Sequence, residues 1–305
     1  MQKQSLKGNF RDLPVGCIKS PMIDSSFLYK KLVDKSTLFQ GISIPIKYQP
    51  LFLQLCEGML VHGESMRVKI LLDGELFDAE WKNQAFDQNK YAGHADVMQF
   101  RYSEKSPIAS KLRQIFQTTY NFVQGALNDP DRPKKQTIRI PEELQEYIVI
   151  SATSQPDVFA FDCVTNADQV EVQKEIETIS EETFEEWSGP KQDKTSGYTY
   201  SSSSLRKVRK LDHSIGESLK RLYDYRCQVT GEKVGDQYAV EVVEAHHINP
   251  FTISMNNDTD NIIILSPSFH RIVHKVKPTF NYDNLSFEFP NGVIEKVKLN
   301  KHLNQ

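Results

Sequence analysis

The feature that most constrains the fold is a group of histidines late in the chain. The sequence reads AHHINP at 245–250 and HRIVH at 270–274, so four of the eight histidines fall within 29 residues. Histidine is the commonest metal ligand in proteins and titrates near neutral pH. The pattern therefore predicts one metal site, built from chain segments that must converge in space.

The residues around these histidines predict a strand, a loop, a second strand and a helix, in that order. Residues 240–248 are rich in valine and end at the double histidine, which favours a strand. Residues 249–260 hold a proline and several Asn and Asp without a clear period, which favours a loop, and 261–265 form a short apolar strand. Ser266 and Pro267 then provide an N-cap and a first-turn proline for a helix.

The geometry of these elements assigns the histidines to faces. Residues four apart on a helix are neighbours, so His270 and His274 can chelate one divalent ion. Consecutive strand residues point to opposite faces, so only one of His246 and His247 reaches that ion. The other faces an adjoining space, where it could deprotonate a water molecule. Glu244 shares a strand face with His246 and either belongs to the site or is an exposed acid.

These residues together resemble the HNH nuclease motif, whose fold is the ββα-metal finger. The resemblance rests on His246-His247 followed by Ile-x-Pro, on Asn261 nine residues before His270, and on His274. A preceding segment, YDYRCQVTG at 223–231, resembles the turn that leads into the HNH modules of restriction-type enzymes. The resemblance covers about residues 205–300, a third of the chain.

The resemblance implies a role for each of these residues. His247 is expected to be the general base, and His246, His270 and His274 the ligands of one divalent metal ion. Asn261 is expected either to orient the base through its side-chain amide or to tie the loop to the strand. Mg²⁺ or Mn²⁺ is the expected ion. Many relatives carry an acidic ligand where His246 stands. Because the set expected here consists of nitrogen ligands alone, the softer ions Zn²⁺ and Ni²⁺ are alternatives.

The cysteines give no sign of a zinc ribbon or a disulfide framework. Cys17, Cys56, Cys163 and Cys227 are scattered, without a Cys-x2-Cys pair. Many HNH relatives carry two such pairs. Here Thr230 stands where the second cysteine after Cys227 would be, so the scaffold is expected to hold together by packing.

Length and composition predict two α+β domains joined by a linker. At roughly 150 residues per domain, 305 residues suffice for two. Residues 165–194 hold nine Asp or Glu against three Lys, and a Ser-rich stretch follows. We therefore expect a mainly β or α+β recognition domain at 1–165, an acidic and Ser-rich linker at 166–204, and a ββα-metal nuclease domain at 205–305.

Within the first domain, the sequence predicts a hairpin and several short strands. The hairpin spans 66–72 and 75–81 around Asp73-Gly74, and a helix is expected after Ser106-Pro107. Further strands are expected at 97–102, 137–140, 147–151 and 158–163, with a short helix beginning at 141. Aromatic and basic residues interleave in this part of the chain: Trp81, Lys90, Tyr91, Phe100, Arg101, Tyr102, Lys134, Lys135 and Arg139.

Two interpretations of these residues stay open. Either they form a DNA-reading surface, or the aromatic residues belong to the core and the basic residues are solvated.

Charge is compatible with a DNA partner. The net charge is −3, but residues 165–194 alone carry −6, so the remainder carries +3. A basic cluster lies between the linker and a helix expected at 214–225, and it consists of Arg206, Lys207, Arg209 and Lys210. This cluster either contacts phosphates or is a solvated linker end. No apolar run approaches the roughly 18 to 20 residues that span a bilayer, and the start lacks the apolar core of a signal peptide, so a cytoplasmic protein is expected.

The sequence thus predicts a metal-dependent DNA endonuclease, a restriction or other defence enzyme that hydrolyses phosphodiester bonds. One site cuts one strand, so double-strand cleavage would need a homodimer or successive nicks. Two alternatives stay open. The histidines could hold a structural Zn²⁺ in a module that only binds nucleic acid, or the first domain could sense a ligand that activates the nuclease.

Overall fold

The computed structural model of the chain describes residues 26–55, 60, 62–84, 89, 97–133, 136–177, 179–188 and 203–303. Over these residues, helices and strands mix in an α+β arrangement, as the sequence predicts. None of the helices formed here is long and apolar enough to cross a membrane. Cys163 and Cys227 are free thiols, whereas Cys17 and Cys56 lie outside the described residues.

One sheet organises the described residues up to 164. Its strands are β1 (Ser26–Leu32), β2 (Gly41–Ile44), β3 (Ser65–Leu72), β4 (Glu75–Gln84), β5 (Val97–Arg101), β6 (Tyr147–Ala152) and β7 (Val158–Val164). They lie in the order β1-β6-β7-β3-β4-β5-β2, with β3 and β7 parallel and the other neighbours antiparallel. The β3–β4 hairpin is confirmed: Asp73 and Gly74 both have positive φ, as a tight type I′ turn requires.

The same region adds four helices to the sheet: α1 (Lys35–Phe39), α2 (Gln49–Leu55), α3 (Pro107–Ile115) and α4 (Gln117–Asn128). Helix α3 begins as predicted, because Ser106 Oγ accepts a hydrogen bond from the backbone N–H of Ala109. It stops at Phe116, whose backbone leaves the helical region. The strand predicted at 137–140 is wrong, since residues 136–140 have no regular structure; a 3-10 turn follows at Glu142–Leu144.

The aromatic residues of the sheet form its core and not a binding surface. Trp81 and Phe100 are fully buried, with ring centroids 6.2 Å apart, and both pack on Phe159, at 5.4 and 4.8 Å. Tyr102 is 9% exposed, and its hydroxyl donates to a backbone carbonyl. Of the two interpretations of the interleaved residues, the core interpretation therefore holds for these aromatics.

The basic residues interleaved with them are solvated where they are described. Arg101 and Arg139 are exposed. The other three basic positions and one aromatic position lie outside the described residues: Lys90, Tyr91, Lys134 and Lys135.

Much of the segment expected to be a linker is folded. It contains α5 (Asn166–Ile176), which begins with a capping box, and α6 (Glu181–Ser188). Three apolar residues of these helices, Val172, Ile176 and Phe184, are buried in one cluster with residues 205, 208 and 251. Where it is described, the acidic segment is therefore partly helical and packed, because its periodic apolar positions are buried. The domain boundaries at 165 and 205 stay predictions.

Helix α7 (Ser203–Leu222) connects the sheet to the later part of the chain. It begins well before the helix expected at 214–225 and ends before Asp224 and Tyr225, which have positive φ. Its apolar face packs in one cluster with β1, β6 and two strands of the histidine region. Ser218 Oγ also donates to the carbonyl of Phe27 at 3.1 Å. The two predicted domains thus share a hydrophobic core.

The histidine region follows α7. Its elements are β8 (Glu244–His247), the short α8 (Phe251–Ser254), β9 (Ile262–Leu265) and α9 (Pro267–Val276), and a three-stranded sheet follows, with β10 (Thr279–Asn281), β11 (Ser286–Glu288) and β12 (Ile294–Lys296). The loop between β8 and β9 docks on the first sheet. Lys30 Nζ donates to Asn257 at 2.8 Å, and the hydroxyls of Tyr48 and Thr259 lie 2.9 Å apart.

Gly216 sets how closely α7 approaches β8. A Cβ at this position would lie 3.0 Å from the Cβ of Ala245, the residue before His246. We expect Gly216→Val to lower the free energy of unfolding by about 1–3 kcal/mol through overpacking. Chemical denaturation measures the loss. Gly125→Val in α4 is the control, since a Cβ there meets nothing within 4 Å; equal losses in the two variants would contradict a close α7–β8 contact.

Candidate metal and base site

The β8–β9 hairpin and α9 supply the histidines. β8 pairs antiparallel with β9, with His246 opposite Ile263 and His247 opposite Ile262. Helix α9 begins at Pro267, and Ser266 Oγ accepts from the N–H of Phe269. The strand, loop, strand and helix order is therefore confirmed, although β8 is shorter than predicted and α8 interrupts the loop.

Three histidines, here called the histidine cluster, meet between β8 and α9: His246, His270 and His274. Their ring centroids are 4.5 to 5.0 Å apart. The Nε2 atoms of His270 and His274 lie 3.0 Å apart, as expected for residues four apart on a helix. The structure thus brings together the three residues predicted as metal ligands.

A carboxylate that the sequence did not assign to the site lies in the middle of this cluster. Glu185 of α6 places Oε2 2.8 Å from His270 Nε2 and 2.7 Å from His274 Nε2, and Oε1 3.3 Å from His246 Nδ1. Its side chain is only 6% exposed. One donor atom from each of these four residues fits within 4.8 Å of the others. These groups are close enough to hold a metal ion.

The donor set also has the chemistry of a metal site. His246 Nδ1 is buried and, among the described residues, makes no well-aligned hydrogen bond. His246 Nδ1 is near Glu185, but its alignment is poor. An unsatisfied buried nitrogen is costly, and a metal ion would use its lone pair. Imidazole and carboxylate donors together suit several divalent ions, including Zn²⁺, Ni²⁺ and Mn²⁺.

Glu244 contacts His270, one of the predicted ligands, on the ring edge away from Glu185. Its Oε2 lies 2.6 Å from His270 Nδ1, and the side chain is 42% exposed. The hydrogen bond from His270, ahead of the opposing effect of burial, lowers the pKa of Glu244. A proton held on Nδ1 leaves the Nε2 lone pair of His270 free to bind an ion. The sequence allows Glu244 to be either a site residue or an exposed acid, and in the structure it lies beside His270, one of the predicted ligands.

His247 lies on the opposite side of β8 in an acidic pocket. It is 3% exposed, with Nε2 2.9 Å from Asp212 Oδ1 on α7. Its Nδ1 lies 3.0 Å from Glu181 Oε1 and 3.4 Å from Glu185 Oε1. Its backbone N–H donates to Glu185 Oε1 at 2.9 Å. The separation of His246 and His247 to two faces thus holds, but the space expected for a water is filled by carboxylates.

These contacts shift the acid–base behaviour of the buried groups. Burial alone would lower the pKa of His247, but the charge of Asp212 and the two glutamates outweighs burial and raises it well above its ordinary value. Burial alone would raise the pKa of Glu185, but the four histidines around it hold it well below its usual range. Without a metal ion, the site therefore favours a carboxylate paired with protonated imidazole.

Two histidines of the cluster, His270 and His246, have pKa values that are shifted in opposite directions. Burial opposes protonation of His270, but Glu185 and then Glu244 outweigh it and raise the pKa of His270 to about 9. Burial lowers the pKa of His246, which is buried and flanked by two other imidazoles. His246 is therefore more readily available than His270 as a neutral donor.

Sequence reasoning missed three acids: Glu181, Glu185 and Asp212. The two glutamates are four residues apart on an acidic helix, and that spacing was visible, but nothing in the sequence related the helix to the histidines. Asp212 lies on the apolar face of α7, three residues before Ile215 and seven before Leu219. A charged residue on a buried face needs a partner, which is the signal that could have found it.

Asn261 ties the loop to the strand. Its Oδ1 accepts from the backbone N–H of Asn249 at 2.8 Å, and its Nδ2 donates to the carbonyls of Asn249 and Asn256 at 2.8 and 2.7 Å. It is 2% exposed. Of the two roles considered for Asn261, these contacts match the loop tie, and among the described residues its side chain has no hydrogen bond to His247.

The basic cluster lies on the first half of α7 and is split between two environments. Lys207 Nζ is 2.8 Å from Asp168 Oδ2, and Arg209 is partly buried. Arg206 and Lys210 are exposed and four residues apart, so they share a face of the helix. Only this second pair is presented to solvent in the way a phosphate contact requires.

Comparison with known proteins gives no relative from which a role could be transferred. No protein-family model matches the chain, and neither a curated protein nor a solved structure shows detectable similarity to it.

The donor geometry predicts stabilisation by divalent metal. Zn²⁺ or Ni²⁺ at about a hundredfold excess over Kd should stabilise the folded chain by about 2.7 kcal/mol, measured as a rise in melting temperature. His270→Ala should abolish most of that rise. His213→Ala is the control, because His213 does not belong to the donor group; an equal metal response in all three proteins would show that the ion binds elsewhere.

Proposed function

We propose that the chain is a cytoplasmic, metal-dependent DNA endonuclease of the HNH type, acting in restriction or defence by hydrolysing phosphodiester bonds. One observation carries the proposal. His246 and His247 are neighbours on β8, and His246 belongs to the histidine cluster, which is able to hold an ion, whereas His247 contacts the buried Asp212. Phosphodiester hydrolysis needs charge stabilisation at the phosphate and removal of a proton from water. The two faces of β8 offer one group for each.

The histidine cluster would hold the ion, and Glu244 would keep His270 in the ligand tautomer. A divalent ion bound there would stabilise negative charge on the phosphate and on its leaving oxygen. The imidazole-rich set suits Mn²⁺, Ni²⁺ or Zn²⁺ better than Mg²⁺, which prefers oxygen ligands.

His247 would be the general base, with Asp212 as its positioning residue. His247 would act as the base in its neutral form, which requires displacement of the Glu181 and Glu185 carboxylates that now face Nδ1. Nε2 would then donate its proton to Asp212, and Nδ1 would keep the lone pair that can accept a proton from water. The buried negative charge of Asp212 then stabilises the imidazolium that forms. Asp212 and His247 would thus act like the carboxylate and the imidazole of a catalytic triad, in which the carboxylate orients the imidazole.

DNA would reach the site along α7. Arg206 and Lys210 are exposed on one face of that helix, and such residues bind phosphates with little regard to sequence. Asn261 would hold the β8–β9 loop in the shape that keeps His246 and His247 at the end of their strand. A single site cuts one strand, so a homodimer would be the simplest route to double-strand cleavage.

A second candidate function has a specific observation in its favour. Glu185 adds a fourth protein ligand to the cluster, and structural zinc sites are closed by four protein ligands, whereas catalytic sites keep a position open. On this reading the chain is a zinc-stabilised module that binds nucleic acid without cutting it. Tight zinc retention together with DNA binding and no cleavage would favour it.

The base assignment predicts a large effect of His247→Ala on plasmid cleavage in Mg²⁺, Mn²⁺, Ni²⁺ and Zn²⁺. We expect kcat to fall by about 10² to 10⁴-fold, because removal of a general base has that effect. The comparison is made in wild type and in Glu185→Ala, since Glu185 lies against the base. His213→Ala should cleave normally. If His247→Ala matches its parent in both backgrounds under every metal, His247 is not the base.

The positioning role of Asp212 predicts a different signature. Asp212→Asn keeps the shape of the side chain but removes the charge, so kcat should fall by about a hundredfold while KM and the metal-induced rise in melting temperature stay unchanged. Glu217→Gln is the control on the same helix, because Glu217 pairs with Lys220 instead. A lower melting temperature with unchanged kcat would assign Asp212 a structural role only.

A further inference from the structure

Helix α6 fills the space between the histidine cluster and His247. Glu185 Oε2 faces two cluster histidines, at 2.7 and 2.8 Å, while its Oε1 accepts from the backbone N–H of His247. A phosphate attacked by water activated at His247 would have to lie in this same space, because it must reach both the cluster and the base. One carboxylate thus spans the two halves of the site.

We infer that Glu185 is an internal competitor of the substrate: it occupies the anion position between the histidine cluster and His247, so a phosphate enters only after α6 has moved away. The inference rests on the proposed function for the identity of the substrate as a nucleic acid. The competition between Glu185 and an anion can be tested without cleavage.

The chemistry of the two anions makes the competition direct. A carboxylate and a phosphodiester both present a negative charge on two oxygens, and both accept hydrogen bonds from N–H donors and bind metal ions. Glu185 is 6% exposed, so its contacts are desolvated. A phosphate cannot use the same imidazole and N–H groups while this side chain holds them.

The rest of α6 explains why the helix stays in place. Glu181, one turn before Glu185, accepts from the backbone N–H groups of Phe251 and Thr252, each at 2.8 Å. Phe184 is fully buried and stacks on Phe251, with ring centroids 4.5 Å apart. Among the described residues, the contacts that hold this helix thus include two carboxylates and one buried aromatic ring on neighbouring positions.

The shortness of α6 makes its displacement feasible. A helix of eight residues is not stable by itself in water, since isolated helices need about 12 to 15 residues. The contacts of Glu181 and Glu185 are electrostatic, and those of Glu185 are directed at the site. A metal-bound phosphate backbone approaching the cluster would compete for those partners, and loss of the Glu185 contacts would release α6 from the site.

The test titrates inorganic phosphate into the full chain loaded with Co²⁺ and follows the visible absorption of the ion, which reports its coordination. Wild type, Glu185→Ala and Glu185→Gln are compared, and thermal melting shows that each variant is folded. Glu182→Gln is the matched control, because Glu182 lies on the same helix and is exposed. Phosphate should bind at least about tenfold more tightly to both Glu185 variants than to wild type or the control.

A second arm measures cleavage of plasmid DNA by the same four proteins in Mn²⁺. Removal of the competitor should raise kcat/KM by about tenfold or more. Glu182→Gln should behave as wild type.

The outcomes separate the two proposals. Equal phosphate affinity in wild type and the Glu185 variants, loss of Co²⁺ from both variants, or slower cleavage by them would overturn the competitor role. Absence of cleavage in all four proteins would refute the nuclease proposal, while the phosphate titration would still decide whether Glu185 excludes an anion.

Discussion

The burial of the apolar face of α7 is the contact on which the rest of the structure depends. This face packs against β1 and β6 of the large sheet and against β8 and β9 of the histidine region. At its other end, Leu205 and Val208 join the cluster that holds α5 and α6. Asp212 and Gly216 lie between these contacts, so the position of α7 fixes the orienting acid of His247 and the spacing to β8. A change in this helix would therefore reach the sheet and the site together.

Electrostatics at the site follow from that packing. Three acids and four histidines are brought into a volume from which solvent is largely excluded, where an unpaired charge is costly. Glu185 is tolerated there because each of its oxygens faces imidazole groups, and His247 because Asp212 offsets its charge. Removing one partner would leave the other buried and uncompensated, which is why α6 and the histidine region stabilise each other.

The sequence predicted local structure and the convergence of the histidines, because both follow from short-range rules. The Asp73-Gly74 turn, the N-cap at Ser266 and the two faces of β8 depend on residues within one turn or one strand. The packing of the acidic segment could not be predicted from its polar composition, because it depends on a few apolar positions such as Phe184, which stacks on Phe251 about 70 positions away. Pairings of that range leave no periodic signal in a single sequence.

The same limit applies to the acids of the site. Glu185 lies 61 residues before His246 in the sequence, and Asp212 lies 35 before His247. No spacing rule connects such distant positions, so their partners appear only when the chain is folded. A buried acid on an apolar helix face was the one available sign, and it pointed to Asp212 but not to its partner.

The arrangement around His247 distinguishes the two candidate functions. A structural zinc site needs four ligands, and the histidine cluster with Glu185 supplies them. A structural zinc site does not require a further imidazole on the opposite face of β8. His247 lies there against Asp212, although burying these two ionisable groups is costly. A catalytic site needs that pair. Under the nuclease proposal, the Glu185 carboxylate, which completes a four-ligand set like that of a structural site, would be the group that keeps the site closed until a competing anion binds.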